Sequence, residues 1–368
     1  MKFTLAREQL LKPLQLVVGV IEKRQTMPIL ANVYMVLRDN ELSLTGTDME
    51  VEMVVRVPLD GEFEDGEITV PAKKLTDIVR SLSEDSQIKF ELKDQRVVVK
   101  AGRSRFQLST LPASDYPATE QGDKDIVFSV TKGGVKRLID RTAFAMAQQD
   151  VRYYLNGMLC EVAPSHFRSV ATDGHRLALC DLKEVSIPVA EKQLAIVPRK
   201  GIMELARLLD DSAELVEIAL GATHIQVRSD VFTFTSKLID GKFPEYERVL
   251  PKGGDKVLFG AKSDLKQAFA RAAILSNEKY RGVRLLLSQG LLTIVANNPE
   301  QEEATEEVLV DYDGEEMEIG FNVSYLQDVA NVIDADSLKL TLSNANASVL
   351  IEEPNGGDSM YVVMPMRM

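Results

Sequence analysis

The chain has 368 residues, a hydrophobic content of 45% and a formal net charge of −13. This length predicts two or three domains, each with enough apolar residues for a core, and the lack of any run of about 18 apolar residues excludes a membrane-spanning helix. Cys160 and Cys180 fit neither a CxxC site nor a disulfide framework, so we expect them to be small core residues. The N-terminus lacks the apolar core of a signal peptide, and these features together predict a cytoplasmic protein.

Taken in chain order, the sequence repeats one pattern three times. The second halves of the copies open at Val70, Val197 and Phe321, which are 127 and 124 residues apart. An internal repeat of this length predicts an array of like domains. The predicted module bounds are residues 1–125, 126–253 and 254–368.

Each repeat predicts two helices and several antiparallel strands, which is an α+β class. Apolar spacing near 3.6 residues marks six helices. They are predicted over Ala6–Ile21, Lys73–Leu82, Gly133–Ala147, Arg199–Leu209, Asp264–Ser276 and Ser324–Ile333. Pro13 predicts a break in the first, because proline removes a backbone donor. Turn-forming residues predict hinges at 112–117, continuing to 125, at 251–254 and at 311–314.

Five of the six predicted helices carry lysine or arginine beside their apolar stripe. A solvated face is the ordinary explanation for a single helix of this kind. Recurrence in an acidic protein, whose residues 254–368 alone have a net charge of −10, favours one polyanion contacted by all five. The basic residues are Arg7, Lys12, Lys73, Lys74, Arg80, Lys136, Arg137, Arg141, Arg199, Lys200, Arg207, Lys266 and Arg271.

One short segment could suggest catalysis. The sequence Thr-Asp-Gly-His-Arg at 172–176 places Asp173 two residues before His175, a spacing open to acid/base chemistry or a metal-dependent nuclease. The first repeat has Thr47-Asp48 in the equivalent place without a histidine, which favours turn chemistry and a binding role. Phosphate-loop, zinc and metalloprotease motifs do not occur. We therefore predict no catalytic residue, no metal and no cofactor.

Nine segments spread over the full length carry a family resemblance. They are Ser43–Glu50 (SLTGTDME), Gly102–Leu111 (GRSRFQLSTL), Gln149–Met158 (QDVRYYLNGM), Val170–Leu177 (VATDGHRL), Phe234–Leu238 (FTSKL), Ala268–Lys279 (AFARAAILSNEK), Ala296–Ala304 (ANNPEQEEA), Met317–Tyr325 (MEIGFNVSY) and Val362–Arg367 (VVMPMR). The chain resembles the bacterial DNA sliding clamps, the beta subunits of the DNA polymerase III holoenzyme, of the gammaproteobacterial type.

The resemblance implies three repeated DNA-clamp modules, each with two helices backed by antiparallel sheets, in a ring-forming homodimer. Double-stranded DNA would pass through the ring without sequence preference. The protein would be a non-catalytic processivity factor. Its partners would be polymerase subunits, the clamp loader and repair proteins that carry clamp-binding peptides, with no membrane contact. A peptide-binding hub that does not encircle DNA remains the alternative.

The family's DNA contacts correspond to six residues of this chain. They are Arg24, Lys73, Gln149, Tyr153, Tyr154 and Lys200. We expect Tyr153 and Tyr154 on a loop, where the rings could stack on a base or lean on the backbone. In an extended segment two successive rings point to opposite sides, which would bury one of them.

The family's dimer contact joins module one of one copy to module three of the other. Module one supplies Lys74, Arg96, Arg103, Arg105, Phe106 and Leu108. Module three supplies Ile274, Leu275, Glu300, Glu302, Glu303 and Glu306. Basic and acidic segments would steer this contact, and the apolar residues would form its centre. Without the family, Ile274 and Leu275 are equally well explained as helix-core residues.

The family's peptide groove lies between modules two and three. The corresponding residues are Arg152, Leu155, Thr172, Gly174, His175, Arg176, Leu177, Pro244, Arg248, Val249, Asn346, Ser348, Val362, Val363, Met364, Pro365, Met366 and Arg367. The aliphatic members can line a pocket for a partner leucine or phenylalanine, and methionine adapts its shape to several ligands. We also expect the last strand to leave its backbone free to pair with an extended peptide. Asn346 stands where an apolar residue is expected.

Overall fold

The computed structural model describes residues 1–21, 27–117, 124–183 and 185–367. These ranges contain six α-helices. They are α1 (Arg7–Val20), α2 (Ala72–Ser81), α3 (Lys132–Thr142), α4 (Arg199–Ala206), α5 (Lys262–Ile274) and α6 (Val323–Val332). None of these helices has the length and apolar character that crossing a bilayer requires.

The strands repeat in the same order in each third of the chain. The first third contains β1 (Lys2–Ala6), β2 (Asn32–Arg38), β3 (Glu41–Thr47), β4 (Val51–Pro58), β5 (Gly66–Pro71), β6 (Gln87–Lys93), β7 (Arg96–Ala101) and β8 (Ser104–Ser109). The middle third contains β9 (Ile126–Thr131), β10 (Gly157–Ala163), β11 (His166–Thr172), β12 (Arg176–Lys183), β13 (Gln193–Pro198), β14 (Leu215–Leu220), β15 (His224–Arg228) and β16 (Phe232–Lys237). The last third contains β17 (Lys256–Ala261), β18 (Gly282–Ser288), β19 (Leu291–Asn297), β20 (Glu303–Leu309), β21 (Met317–Asn322), β22 (Ser337–Leu342), β23 (Val349–Glu352) and β24 (Ser359–Val363). Each third runs strand, helix, four strands, helix, three strands, which confirms the predicted α+β repeat.

The strands form antiparallel sheets within two compact units. The first unit comprises Met1–Gly133 and Lys200–Leu238, and the second comprises Gly134–Arg199 and Ile239–Met368. The first unit holds sheets in the orders β1-β6-β7-β8 and β5-β2-β3-β4-β16-β15-β14-β9. The second holds β20-β19-β18-β21 and β13-β10-β11-β12-β24-β23-β22-β17.

Each eight-stranded sheet joins four strands from one third of the chain to four from another. In the first unit β4 pairs with β16, with Val55 opposite Phe232. In the second unit β12 pairs with β24, with Leu177 opposite Val362. In the repeat, β20 corresponds to β4 and β12, and β8 corresponds to β16 and β24. Strands β20 and β8 belong to the two four-stranded sheets. Each lies at a sheet edge and, among the described residues, pairs on one side only.

Helix α1 shows how burial decides the local structure. Its apolar face buries Leu10, Leu14, Val17 and Val20 and packs on β3 and β4. Pro13 lies inside this continuous helix, so the predicted break is wrong. The buried residues on both sides of Pro13 hold the helix together despite the missing backbone hydrogen bond.

Two predicted helices end three or more residues earlier than expected. The helix predicted to reach Ala147 ends at Thr142 and is followed by a 3-10 turn over Ala143–Ala145. The helix predicted to reach Leu209 ends at Ala206, and the next amides bond only three residues back. Apolar spacing does not distinguish these tighter turns from an α-helix.

The predicted hinge at 311–314 is wrong. Asp311 exchanges two backbone hydrogen bonds with Phe259, at 2.8 and 2.9 Å. Tyr312 is buried, and its phenol donates to the Glu315 carbonyl at 2.6 Å. The segment is therefore fixed in the second unit. At the first predicted hinge, residues 118–123 lie outside the described residues, and Tyr116 stacks on Tyr34.

Both cysteines are buried and free, as predicted. Burial raises the pKa of the Cys160 thiol to about 12. A thiol with so high a pKa carries almost no reactive thiolate at neutral pH, so it serves as a small core side chain.

Candidate functional site

The turn that suggested catalysis is a structural turn. Thr172 Oγ1 donates to the carbonyl of Arg176 at 2.6 Å, and Asp173 Oδ1 accepts from the backbone amide of Arg176 at 3.0 Å. In the first third, Thr47 and Asp48 make the equivalent two hydrogen bonds with the backbone of Val51, at 2.9 and 2.7 Å. The Asp173 carboxylate also accepts the backbone amide of His175. Turn chemistry, which the sequence favoured, therefore accounts for this aspartate.

Next to this turn the second unit has a cavity of about 190 Å³. Its lining residues are Arg152, Leu155, Thr172, Gly174, Arg176, Leu177, Pro244, Tyr246, Val249, Val362 and Met364. All of them except Tyr246 belong to the predicted peptide groove. The floor is apolar, because Leu155, Leu177 and Val362 are buried side chains of one core cluster. Met364 is 38% exposed at the rim. Such a cavity suits an apolar side chain of a ligand.

Arg152 covers one end of the cavity and is held by its neighbours. It donates to both carboxylate oxygens of Asp150, at 3.0 and 2.9 Å, and to the Asp173 carbonyl at 3.1 Å. The hydrogen bonds from Arg152 lower the pKa of Asp150 to about 2. A Cβ on Gly174, whose φ is +88°, would lie 2.8 Å from the guanidinium. Glycine adopts this backbone conformation without strain and lets the guanidinium approach closely.

The guanidinium of Arg176 is committed to contacts inside the second unit. It pairs with Asp173 at 3.1 Å and with Asp328, and it donates to the Phe144 carbonyl at 2.8 Å. The Cζ atom of Arg176 lies 4.5 Å from the centroid of the Tyr325 ring. With its donors occupied, Arg176 acts as a rigid wall of the cavity.

Several predicted groove residues lie outside the cavity lining. They are His175, Arg248, Asn346, Ser348, Val363, Pro365, Met366 and Arg367. Val363 is fully buried and lies opposite Val349 and Arg176 in the sheet, so its side chain belongs to the core. The backbone of Met366 bonds Gly320 at 2.8 Å. Asn346 lies in an exposed turn that Asn344 caps.

The expectation that the last strand offers a free backbone edge is wrong. Strand β24 pairs with β12 on one side and β23 on the other. Beyond it, the Met364 amide donates to the His175 carbonyl at 2.9 Å. Both edges of this strand are used by the sheet itself, so the strand offers no free edge for pairing with a peptide.

The predicted DNA-contacting residues fall into two groups. Arg24 lies outside the described residues. Lys73 is exposed on α2, and Lys200 on α4 forms an ion pair with Asp48, all within the first unit. Gln149, Tyr153 and Tyr154 share one loop of the second unit. That loop includes a 3-10 turn over Tyr153–Leu155.

The two tyrosine rings do not point to opposite sides as an extended loop would require. The 3-10 turn brings them edge to face, with centroids 5.8 Å apart. Tyr153 is 56% exposed, whereas Tyr154 packs against the core cluster. Gln149 has φ of 55°, which fixes the turn just before them.

Many basic residues of the predicted helical faces have acidic partners within the chain. Arg141 is buried and pairs with Asp334, and Arg137 lies 3.2 Å from Asp358. Further pairs join Arg80 to Asp77, Lys136 to Asp140, Arg207 to Glu204 and Arg271 to Glu306. The predicted basic faces are thus partly neutralised, which weakens any phosphate contact they make.

The predicted dimer residues lie on and beside the two edge strands. Arg103, Arg105 and Arg96 are exposed on or near β8, and Lys74 is exposed on α2. Glu300, Glu302 and Glu303 are exposed at β20, where Glu306 pairs with Arg271 at 2.6 Å. Phe106 is half-buried. Leu108 is only 8% exposed, so it belongs to the core of the first unit.

Ile274 lies at the end of α5 and is 75% exposed. The core face of this helix is formed by Leu265, Phe269, Ala272 and other residues. The helix-core explanation is therefore wrong for Ile274. Its neighbour Leu275 is half-buried.

Sequence reasoning missed Tyr246. This residue is 5% exposed and contributes to the cavity wall between the predicted Pro244 and Val249. A signal was available, because a large aromatic between two predicted groove residues is a natural part of the same wall.

Comparisons with known proteins agree along the whole chain. Family descriptions of the DNA polymerase III beta subunit match its N-terminal domain at residues 1–120, its central domain at 129–245 and its C-terminal domain at 247–367. The beta sliding clamp of Pseudomonas aeruginosa is 60% identical over 368 residues, with both chains fully covered. That of Escherichia coli is 52% identical over 371 residues, again with full coverage of both.

Solved structures show the same likeness. The sliding clamp of Pseudomonas aeruginosa bound to griselimycin matches with a TM-score of 0.97 at 60% identity, and both chains are fully covered. The Bartonella birtlesii sliding clamp bound to griselimycin matches with a TM-score of 0.95 at 37% identity, also with full coverage. The chain therefore belongs to the DNA polymerase III beta subunit family, the bacterial beta sliding clamps.

Proposed function

We propose that two copies of this chain close into a ring around duplex DNA, slide along it and hold partner proteins of replication. The observation that carries the proposal is the pair of sheet edges at β8 and β20. The strands that correspond to β8 and β20 in the other thirds of the chain already pair: β16 pairs with β4, and β24 pairs with β12. Pairing β8 of one copy with β20 of the other completes two further eight-stranded sheets and closes a head-to-tail homodimer.

The residues beside these edges are complementary in charge. Arg105 lies on β8 and Arg103 immediately precedes that strand, and Glu303 lies on β20. Opposite charges steer two copies into register. The exposed Ile274 and the half-buried Phe106 supply apolar surface for the centre of the contact.

Duplex DNA is held by enclosure, so its contacts can be weak. The proposed contacts are Arg24, Lys73, Gln149, Tyr153, Tyr154 and Lys200. Lysine serves phosphate as a point charge without reading base sequence. Weak contacts of this kind let the ring move along DNA.

The cavity of the second unit is the proposed docking site for clamp-binding peptides. Such peptides are carried by polymerase subunits, the clamp loader and repair proteins, and their apolar side chains would fill the cavity. The griselimycin complexes of the relatives support ligand binding in this family. The protein acts in the cytoplasm as a non-catalytic processivity factor, with module bounds near 125 and 253.

Clamp retention on DNA tests this function. The protein is loaded onto nicked circular duplex with a clamp loader and ATP, the complex is isolated, and the circle is cut with a restriction enzyme. We expect the protein to stay on circles and to run off linear DNA. Equal retention on both would show ordinary surface binding and refute enclosure. No retention on either, together with griselimycin binding, would instead support the peptide-binding hub.

A further inference from the structure

A row of buried and half-buried charged side chains crosses the sheet beside the cavity. Glu161 on β10 is directly opposite Arg168 on β11, which is directly opposite Asp181 on β12. The Arg168 guanidinium binds both oxygens of Asp181. The Glu161 side chain is 2% exposed and accepts from His166 at 3.0 Å. Alternating charges across three strands satisfy one another and fix the side chains in place.

Tyr246 connects this row to the cavity. Its phenol donates to Glu161 Oε2 at 2.7 Å and accepts from Arg168 Nη1 at 2.9 Å. The same residue lines the cavity. A hydroxyl that donates one bond and accepts another has a defined orientation. The ring therefore has a single position relative to the sheet.

The segment that carries Tyr246 has little other backbone support. The described backbone hydrogen bonds of Glu245–Val249 are local, from Arg248 to Glu245 and from Val249 to Tyr246. Pro244 and Val249, on either side of the tyrosine, line the same cavity. At the segment's surface, Lys192 bonds Glu247 at 3.2 Å and also reaches Glu161 at 3.3 Å.

We propose that Tyr246 is a positioning residue of the peptide groove, which anchors the Pro244–Val249 wall to the charged row formed by Glu161, Arg168 and Asp181. The inference rests on the proposed docking of peptides in this cavity. A wall that sampled other positions would lower apparent affinity in proportion to the time it spent away from the binding geometry. The anchor thus contributes to ligand binding through a hydroxyl that is bonded to Glu161 and Arg168.

The test replaces Tyr246 by phenylalanine, which keeps the ring in the cavity and removes both phenol hydrogen bonds. The full-length variant is titrated with griselimycin by calorimetry, and amide hydrogen exchange is followed over residues 243–250. We expect affinity to fall about tenfold, the effect of losing roughly one or two buried hydrogen bonds. We also expect faster exchange at Arg248 and Val249. The matched control is Tyr312→Phe, which removes the buried phenol bond to Glu315 outside the groove.

A cycle with Glu161→Gln shows whether the hydroxyl acts through the row. We expect the Tyr246→Phe, Glu161→Gln double variant to bind griselimycin about as weakly as the weaker single variant. Wild-type affinity in Tyr246→Phe would overturn the anchor, and so would an equal loss in Tyr312→Phe. Failure of the wild-type chain itself to bind griselimycin would instead refute the groove assignment.

Discussion

Leu177 and Val362 lie directly opposite each other where β12 meets β24. Leu177 comes from the middle third of the chain and Val362 from the last. The floor of the cavity therefore forms only when the two halves of the eight-stranded sheet are joined. Binding at this site and pairing of the two halves depend on the same residues.

Replacing Leu177 by alanine should weaken both the fold and the site. Deletion of a buried leucine side chain costs about 2–5 kcal/mol of unfolding free energy, and the enlarged cavity loses contacts to a ligand. We expect griselimycin affinity to fall at least about tenfold in calorimetry. Leu340→Ala, in the same sheet but away from the cavity, should be destabilised similarly and keep its affinity. Equal affinity losses in both variants would contradict the assignment.

Ending the chain at Val363 should impair ligand binding and leave dimerisation intact. The truncation removes Met364 from the rim, together with its bond to His175, and keeps β24 complete. We expect griselimycin affinity to fall about tenfold, as for loss of one buried apolar side chain. A chain ending at Met366 is the control and should bind normally. Unchanged binding after truncation at Val363 would show that the rim does not contact the ligand.

The double change Ile274→Ala with Leu275→Ala should weaken the homodimer. Both residues lie at the end of α5, and the 75% exposure of Ile274 in the single chain offers apolar surface to a partner. Sedimentation velocity at decreasing concentration should show monomer appearing at concentrations where the parent chain is dimeric. Leu215→Ala with Val231→Ala removes comparably exposed side chains and should leave the dimer unchanged. A dimer that resists the first pair would count against this contact.

Asp150 should remain ionised at a lower pH than an ordinary aspartate. Hydrogen bonds from Arg152 lower the pKa of Asp150 to about 2 in the folded chain, whereas an aspartate in an unfolded chain has a pKa of about 4. The stability that the pair contributes is therefore complete above about pH 4 and is lost as the pH falls through about 2. Carboxyl carbon NMR should show a higher pKa for Asp150 in Arg152→Gln, which removes the guanidinium hydrogen bonds but keeps the bond from the backbone amide of residue 152. In Arg248→Gln it should titrate as in the parent chain.

Local patterns predicted the repeat and the helices, because apolar spacing is a property of neighbouring residues. They did not predict that Pro13 would sit in an unbroken helix, since burial of Leu14 and Val17 comes from tertiary packing. They also missed the partner of β24, because pairing Leu177 with Val362 joins segments far apart in the chain.

In the candidate site, too, the sequence predicted individual residues but not the contacts between residues far apart in the chain. Resemblance to the family supplied most of the cavity lining. Tyr246 was missed although its sequence neighbours were predicted, and its hydrogen bonds to Glu161 and Arg168 could not be predicted because those residues are far away in the chain. Pairing of Arg141 with Asp334 was likewise invisible in the charge pattern, which records each residue without its spatial neighbours.

The turns at Thr47 and Thr172 occupy equivalent positions in the first and middle thirds of the chain. Their hydrogen bonds are the same, but the residue two positions after the threonine is Met49 in one, with φ of 78°, and Gly174 in the other, with φ of 88°. Met49 keeps an exposed side chain in this conformation, whereas the bare glycine admits Arg152. The difference of a single side chain between two otherwise similar turns therefore decides whether an arginine can pack against the turn. One backbone turn therefore carries two different surfaces, and the one with glycine lines the cavity.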